Sequence, residues 1–280
     1  MIGMTDSLYE SIAAYSAELM KYGFTPEEFA VLVQENGMCA EEILAVAKTF
    51  EYLRAKQNRE SVEFLLRTSR LPLKVPKTFD NFDFSRITGK NADKLRSLST
   101  LSALYSHKNL AFIGKPGTGK THLAQAFGRA CCEQGQKAYF IKMTELRDRM
   151  TDARRAGREG ILLASLVRPA CLIIDEVGHC EFDKENTRLF FDLVDRRYQK
   201  EGCYNMVFTS NRTSNRDPAQ WQENFCESDA LLCALDRIFD DAIVFSIKGE
   251  SFRGKSWKRS HCGPPLPRFI SKARQNPKLM

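Results

Sequence analysis

Five short apolar runs punctuate the chain, at 109–114, 138–142, 171–175, 205–210 and 242–247, and each predicts a strand. Their apolar residues are consecutive rather than alternating, as in Leu110-Ala111-Phe112-Ile113 and Cys171-Leu172-Ile173-Ile174. Consecutive apolar positions mark strands buried on both faces, the condition of a parallel sheet. Stretches between the runs return apolar residues at helical spacing. The pattern therefore predicts an α/β fold, a mostly parallel five-stranded sheet between two helical layers with right-handed crossovers.

The N-terminal stretch reads as helical. Thr25-Pro26-Glu27-Glu28 reads as a capping box with proline at the first helical position, and Phe29, Leu32 and Val33 follow on one face. Gly23 and Gly37 suit helix ends. A longer helix is predicted from Ala40 to about Arg67, with Ile43, Leu44, Ala47, Phe50 and Leu53 on one side. Its second half carries Arg54, Lys56, Arg59 and Arg67, which face either phosphates or solvent. Pro72 and Pro76 end the helical pattern, so Leu71–Phe84 reads as a linker with an extended piece around Phe79, Phe82 and Phe84. The expected organisation is a helical N-terminal domain at 1–70, a linker at 71–84, an α/β domain at 85–254 and a tail at 255–280.

Composition narrows the class. The 280 residues are 43% hydrophobic and 28% charged, the balance of a soluble globular protein. No run approaches the roughly 18–20 apolar residues of a membrane span, and the first residues lack a basic leader, which argues against secretion. Nine cysteines include no C-x-x-C pair. Cys171 and Cys233 fall in apolar patterns and Cys131-Cys132 in a helical one, so buried, reduced thiols of a cytoplasmic protein are expected. The net charge of +7 is uneven: from Lys248 onward nine basic residues face one acid, Glu250. Such a tail, Pro-rich and read as loosely ordered, either attracts a polyanion, DNA or RNA, or is a solvated end. Arg147, Arg149, Arg154, Arg155 and Arg158, around Gly157 and Gly160, read as a basic connection that either contacts phosphate or is a solvated loop.

The candidate chemistry sits at the ends of the predicted strands. Gly114-Lys115-Pro116-Gly117-Thr118-Gly119-Lys120-Thr121 matches G-x-x-x-x-G-K-[ST], with a strand before it and a helix beginning near Lys120 and running through His122. Its glycines let backbone N–H groups approach phosphate oxygens, and the helix N-terminus adds partial positive charge. Lys120 is expected on the β- and γ-phosphates, and the Thr121 hydroxyl on Mg²⁺. Asp175 and Glu176 close the third strand, where ligands of open α/β sheets bind. Asp175 is expected to hold the Mg²⁺ shell through water and Glu176 to polarise an attacking water. Asn211, past the fourth strand, is expected to orient that water or touch the γ-phosphate; a plain turn is the other reading of Asn211-Arg212-Thr213-Ser214-Asn215.

Taken together, these motifs resemble the IstB-type helper ATPases of bacterial insertion sequences, a branch of the AAA+ ATPases close to the DnaC-type helicase loaders. The resemblance rests on Phe79–Phe84, the loop 114–124, Leu172–Gly178, Leu189-Phe190-Phe191, Arg197-Tyr198, Thr209–Arg212, Leu235-Asp236-Arg237 and Lys248–Arg253. It implies an AAA+ three-layer sandwich binding ATP and Mg²⁺. It also implies that Asn211 is the first sensor, that Arg237 is an arginine finger acting on a neighbouring subunit's ATP, and that Arg253 is the second sensor in its own subunit. ATP-dependent oligomers on DNA, held mainly by backbone contacts, and a partner transposase follow from the same resemblance. His179 and Cys180 depart from the family pattern, and a loop histidine is the expected reading of His179. Two other functions share the motifs: a DnaC-like helicase loader, and a DNA-binding scaffold in which the nucleotide is structural.

Overall fold

The computed structural model describes residues 2–88, 92–211, 225–226, 228–240, 242–249 and 251. The chain opens with helices α1 (Ile2–Leu19), α2 (Pro26–Glu35) and α3 (Ala40–Thr68). The capping box forms as the sequence predicts: Glu28 N–H donates to Thr25 Oγ1 (3.2 Å) and Thr25 N–H to Glu28 Oε2 (2.8 Å). Gly37 ends α2 with φ 61°. Ile12, Phe29, Ile43 and Ala47 form a small core of their own, edged by Tyr9 and Phe24 against the Phe29 ring. Arg54 is held within this bundle, paired to Glu18 at 2.6 Å and lying over Tyr15. The C-terminal end of α3 leaves the bundle and contributes Leu66 to the core under the sheet.

The segment after α3 is not extended, as its phenylalanines and prolines predict, but folded into turns. Asn81 is the reason. Its Oδ1 accepts from Thr78 N–H (3.0 Å), its own N–H donates to Thr78 Oγ1 (3.2 Å), and its Nδ2 donates to Pro76 O (2.8 Å). A 3-10 turn at Phe84–Arg86 leads into β1 (Ile87–Thr88), and the short helices α4 (Ala92–Arg96) and α5 (Ser102–Tyr105) follow.

The remaining strands and helices alternate: β2 (Leu110–Gly114), α6 (Lys120–Glu133), β3 (Ala138–Lys142), α7 (Met143–Arg155), α8 (Glu159–Val167), β4 (Cys171–Val177), α9 (Lys184–Tyr198), β5 (Asn205–Ser210), α10 (Ser228–Phe239) and β6 (Ile243–Gly249). The sheet order is β1-β6-β2-β5-β4-β3. The five predicted strands pair in parallel, and the unpredicted β1 adds an antiparallel edge on β6. Both faces are buried. Leu110, Phe112, Ile173 and Phe245 face α6, packing on Leu123, Phe127 and Cys131. Ala111, Leu172, Ile174 and Phe208 face the other way, onto Leu146, Leu163, Phe190 and Ile238 from α7–α10. Consecutive apolar residues are the consequence of that double burial.

Residues 147–155 are not the expected connection but the body of α7, and the chain turns only at 156–158. Met143, Leu146 and Met150 recur at helical spacing and bury one face of α7. Most of its arginines are taken up by ion pairs: Arg147 with Asp148 (2.7 Å), Arg149 with Glu145 (3.0 Å) and Arg154 with Asp183 (2.9 Å). Cys131, Cys132 and Cys171 are buried as expected, whereas Cys233 is exposed on α10. Burial pushes the Cys132 thiol up to about 11, which keeps that sulfur protonated within the packing. Among the described residues no helix is long and apolar enough to cross a membrane.

Candidate nucleotide-binding site

The loop between β2 and α6 turns through two glycines in left-handed backbone, Gly117 (φ 81°) and Gly119 (φ 92°). A side chain at Gly117 would strike Ser251, with Cβ only 2.1 Å from its Oγ. Both positions therefore demand glycine. Lys120 Nζ donates to Lys115 O (2.7 Å), as does Thr118 Oγ1 (2.9 Å), so the buried ammonium lies in the curve of the loop. Gly114, at the end of β2, keeps the strand close to β6: a Cβ there would meet Ile247 O at 2.3 Å.

The loop joins the acid motif through one hydrogen bond. Thr121 Oγ1 donates to Asp175 Oδ1 at 2.9 Å, across 54 residues of sequence. Thr209 Oγ1 donates to the same oxygen at 2.6 Å, from β5. Asp175 is buried, and burial raises its carboxyl above the ordinary range while the Thr209 and Thr121 bonds pull it back. A buried carboxylate ringed by hydroxyl oxygens is the donor set that suits Mg²⁺. The residues present therefore fit the ion that the sequence implies.

Glu176 is set apart from its strand. The β4–β5 register shifts between Ile174 and Val177, and Glu176 adopts φ 62°. Such a bulge re-aims a side chain out of the ladder, and a left-handed non-glycine residue costs about 1–3 kcal/mol. Its N–H is satisfied by Thr209 Oγ1 (3.0 Å), and its carboxylate pairs with Lys142 Nζ (3.2 Å) at the end of β3. Asn211 directly follows β5, on the same cleft. Its Nδ2 lies 2.9 Å from His179 Nε2.

The cleft measures about 630 Å³ and lies between the phosphate loop and the linker. Pro116, Gly117, Gly119, Lys120 and Thr121 line one wall; Lys77, Phe82, Asp83 and Arg86 line the other. His122 ties the two walls. Its Nε2–H donates to Thr78 O (2.9 Å) and its ring meets Phe82 edge-on at 5.1 Å. Burial lowers its pKa, which favours the neutral ring.

Arg237 stands apart. It lies on α10, pairs with Asp195 at 3.2 Å and covers the Phe191 ring at 5.1 Å. It lines a separate cavity of about 230 Å³ with Asn109 and Asn205, at the strands' N-terminal ends. Arg253, Arg212 and the tail 255–280 lie outside the described residues. The structure thus brings Lys120, Thr121, Asp175, Glu176 and Asn211 together and leaves Arg237 at the opposite edge. The sequence pattern assigns no role to Thr209, Lys142 or the linker wall. The readable signal for the first two was position: each is a polar residue at or near the C-terminal end of a parallel strand, where such folds bind ligands.

Residues 24–260 match the family described as IstB-like ATP binding protein. The chain belongs to that family. It is 36% identical over 201 residues to a Geobacillus stearothermophilus protein named for ATP binding in insertion sequence IS5376, covering 71% of this chain and 75% of the relative. It is 31% identical over 204 residues to the corresponding IS21 protein of Pseudomonas aeruginosa, covering 73% and 74%. The crystal structure of the DnaC helicase loader superimposes with a TM-score of 0.51 at 20% identity, over 61% of this chain and 97% of the loader. That likeness establishes the AAA+ type of fold.

Proposed function

We propose that this chain hydrolyses ATP and couples the nucleotide to assembly on DNA, in the service of an insertion sequence's transposase. The observation that carries the reading is the Thr121–Asp175 contact, which sets the phosphate loop against two carboxylates and a terminal amide in one cleft. Thr121 and Asp175 would hold Mg²⁺, which when bound supplies charge neutralisation at the phosphates. Lys120 offsets the charge that develops on the γ-phosphoryl oxygens. Glu176, once released from Lys142, accepts the proton of the attacking water, and Asn211 fixes that water's direction.

Arg237 supplies the missing cation from a neighbouring subunit. Its position supports this: it lies at the N-terminal end of strands whose C-terminal ends form the cleft. Six residues of β5 separate the two ends, roughly 20 Å at 3.3 Å per residue, beyond its reach within one chain. Fingers of this kind contribute about 10³–10⁵ in turnover. The basic residues from Lys248 onward supply attraction for DNA phosphates, and the relatives' naming for insertion sequences points to a transposase as the partner. The domain limits at 70, 84 and 254 belong to the same reading, supported by the separate core of α1–α3.

The test is ATP turnover per subunit against protein concentration, with and without duplex DNA. Turnover should be near zero for dilute monomer and rise steeply with assembly. A monomer as fast as the DNA-bound form would remove the trans-acting finger. ATP hydrolysis unaffected by Lys120→Ala would remove the site itself.

A further inference from the structure

The turn after β4 carries a histidine that the chemistry above does not use. His179 is exposed, follows Gly178 (φ 95°), and donates its backbone N–H to Glu176 O (3.2 Å). Val177 pairs with Ser210 across the sheet, and Ser210 Oγ donates to Val177 O (3.0 Å). These bonds fix the two strand ends from which His179 and Asn211 project. Asn211 lines the nucleotide cleft, and His179 stands behind it, outside the lining. The 2.9 Å contact joins Asn211 Nδ2 to His179 Nε2. An amide nitrogen can only donate, so in this contact the imidazole nitrogen accepts, which requires the ring form with its proton on Nδ1.

From this geometry we propose that His179 is the positioning residue for Asn211, and that its proton decides which end of the amide faces the nucleotide. A neutral ring takes one Nδ2 hydrogen and leaves Oδ1 as the end presented to the cleft. Oδ1 accepts a hydrogen from the attacking water and so holds that water in line. An imidazolium has no acceptor at Nε2. Its Nε2–H must donate instead, and within this pair Oδ1 is the acceptor, so the amide turns over to keep the contact and presents Nδ2 to the cleft. A donor there still grips a phosphate oxygen but no longer holds the water. Protonation therefore lowers turnover and spares ATP binding.

Histidine is the side chain that changes charge between about pH 5 and 8. The charged groups around the turn come from several elements. Glu176 is paired with Lys142 of β3, Arg147 and Asp148 of α7 pair with each other beside Cys180, and Glu181 is exposed two residues on. Among the described residues, the cations Lys142 and Arg147 are thus each matched by an acid.

The inference rests on Asn211 being the water-orienting amide, and two readouts separate its failure from that reading's. The first needs no turnover: the side-chain ¹⁵N–¹H signals of Asn211, assigned with Asn211→Ser, followed from pH 5 to 8.5 in the full chain. They should move with one midpoint in the wild type and stay fixed in His179→Gln, which keeps an acceptor but gains no proton. The second is kcat and KM for ATP with saturating DNA over the same range. Wild-type kcat should fall about three- to tenfold across that midpoint, the turnover equivalent of one hydrogen bond, while KM moves little. His179→Gln should lack the acid limb. Asn211 signals that titrate alike in both proteins, or an acid limb that survives in His179→Gln, overturn the proposal. If neither protein hydrolyses ATP, the hydrolytic reading fails, and the amide signals alone decide whether His179 governs Asn211.

Discussion

Asp175 carries two opposing demands. The fold buries it and raises its pKa, chiefly through lost solvation, yet the ion it is proposed to hold requires the carboxylate. An unfolded aspartate titrates near 4. The folded carboxyl keeps its proton to higher pH, so the native state binds more protons over that interval and loses stability as pH rises through it. At neutral pH the charge is a burden until a cation arrives. Asp175→Asn, which keeps the Thr121 and Thr209 hydroxyls bonded through its amide oxygen, should therefore raise the melting temperature of the nucleotide-free protein or leave it level. It should also erase the added stability from Mg²⁺ and ATP, about 2.7 kcal/mol at a ligand concentration of 100 Kd. Thermal scans with and without both ligands check this; a destabilised apo variant that still gains on Mg²⁺-ATP would refute it. Gly117, Lys120, Asp175 and Glu176 were all legible as residues, because the glycine bend and the acid-tipped strand leave a local pattern. The contacts of Thr209 and His179 were not: each is made to a partner more than thirty positions away.

At the scale of elements, α9 is locked to the sheet by an arginine with no acid on it. The Arg197 guanidinium is buried and donates to the carbonyls of Leu166, Val167, Pro169, Ala170 and Asn205, at 2.6–3.2 Å. Burial pushes it down to about 10, so it remains charged at neutral pH. One side chain thereby satisfies the end of α8, the start of β4 and the start of β5, where backbone acceptors would otherwise lie buried and unpaired. A lysine keeps the charge but not the planar fork. Arg197→Lys should cost about 1–3 kcal/mol for each carbonyl it leaves buried and unpaired, readable by urea unfolding with an unchanged m-value. A loss below about 1 kcal/mol would mean that the carbonyls find water instead. This lock was invisible in the pattern, where Arg197 belongs to a helix with polar neighbours. The same holds for α7, whose arginines read as a connection because Gly157 and Gly160 stand beside them, while one acid partner, Asp183, lies 29 positions beyond Arg154. Strands were easier, since double burial writes itself into consecutive residues.

On the proposed function, the whole molecule presents an ATP cleft at one end of its sheet and a latched arginine at the other, and this separation would make a single copy deficient. Asp195 and Phe191 hold Arg237 within its own chain; the ion pair is partly exposed, so its loss to a neighbour's phosphates is cheap. Sequence alone carried Arg237 only by resemblance, because nothing local distinguishes a finger from a surface ion pair. A head-to-tail interface repeats one donor and one acceptor surface per subunit. Two separately inactive variants should then repair each other. Glu176→Gln keeps the finger and lacks the base; Arg237→Ala keeps the base and lacks the finger. In random mixtures of equal amounts, roughly a quarter of contacts set an intact cleft against an intact finger. ATP turnover should reappear on mixing, to about that fraction of wild type, and vanish on dilution below the assembly concentration. Co-assembly, followed by labelled subunits, must be observed in the same samples. Mixed oligomers that stay silent would return Arg237 to the status of an ordinary link between α9 and α10, and hydrolysis would then need a cation from within the same chain.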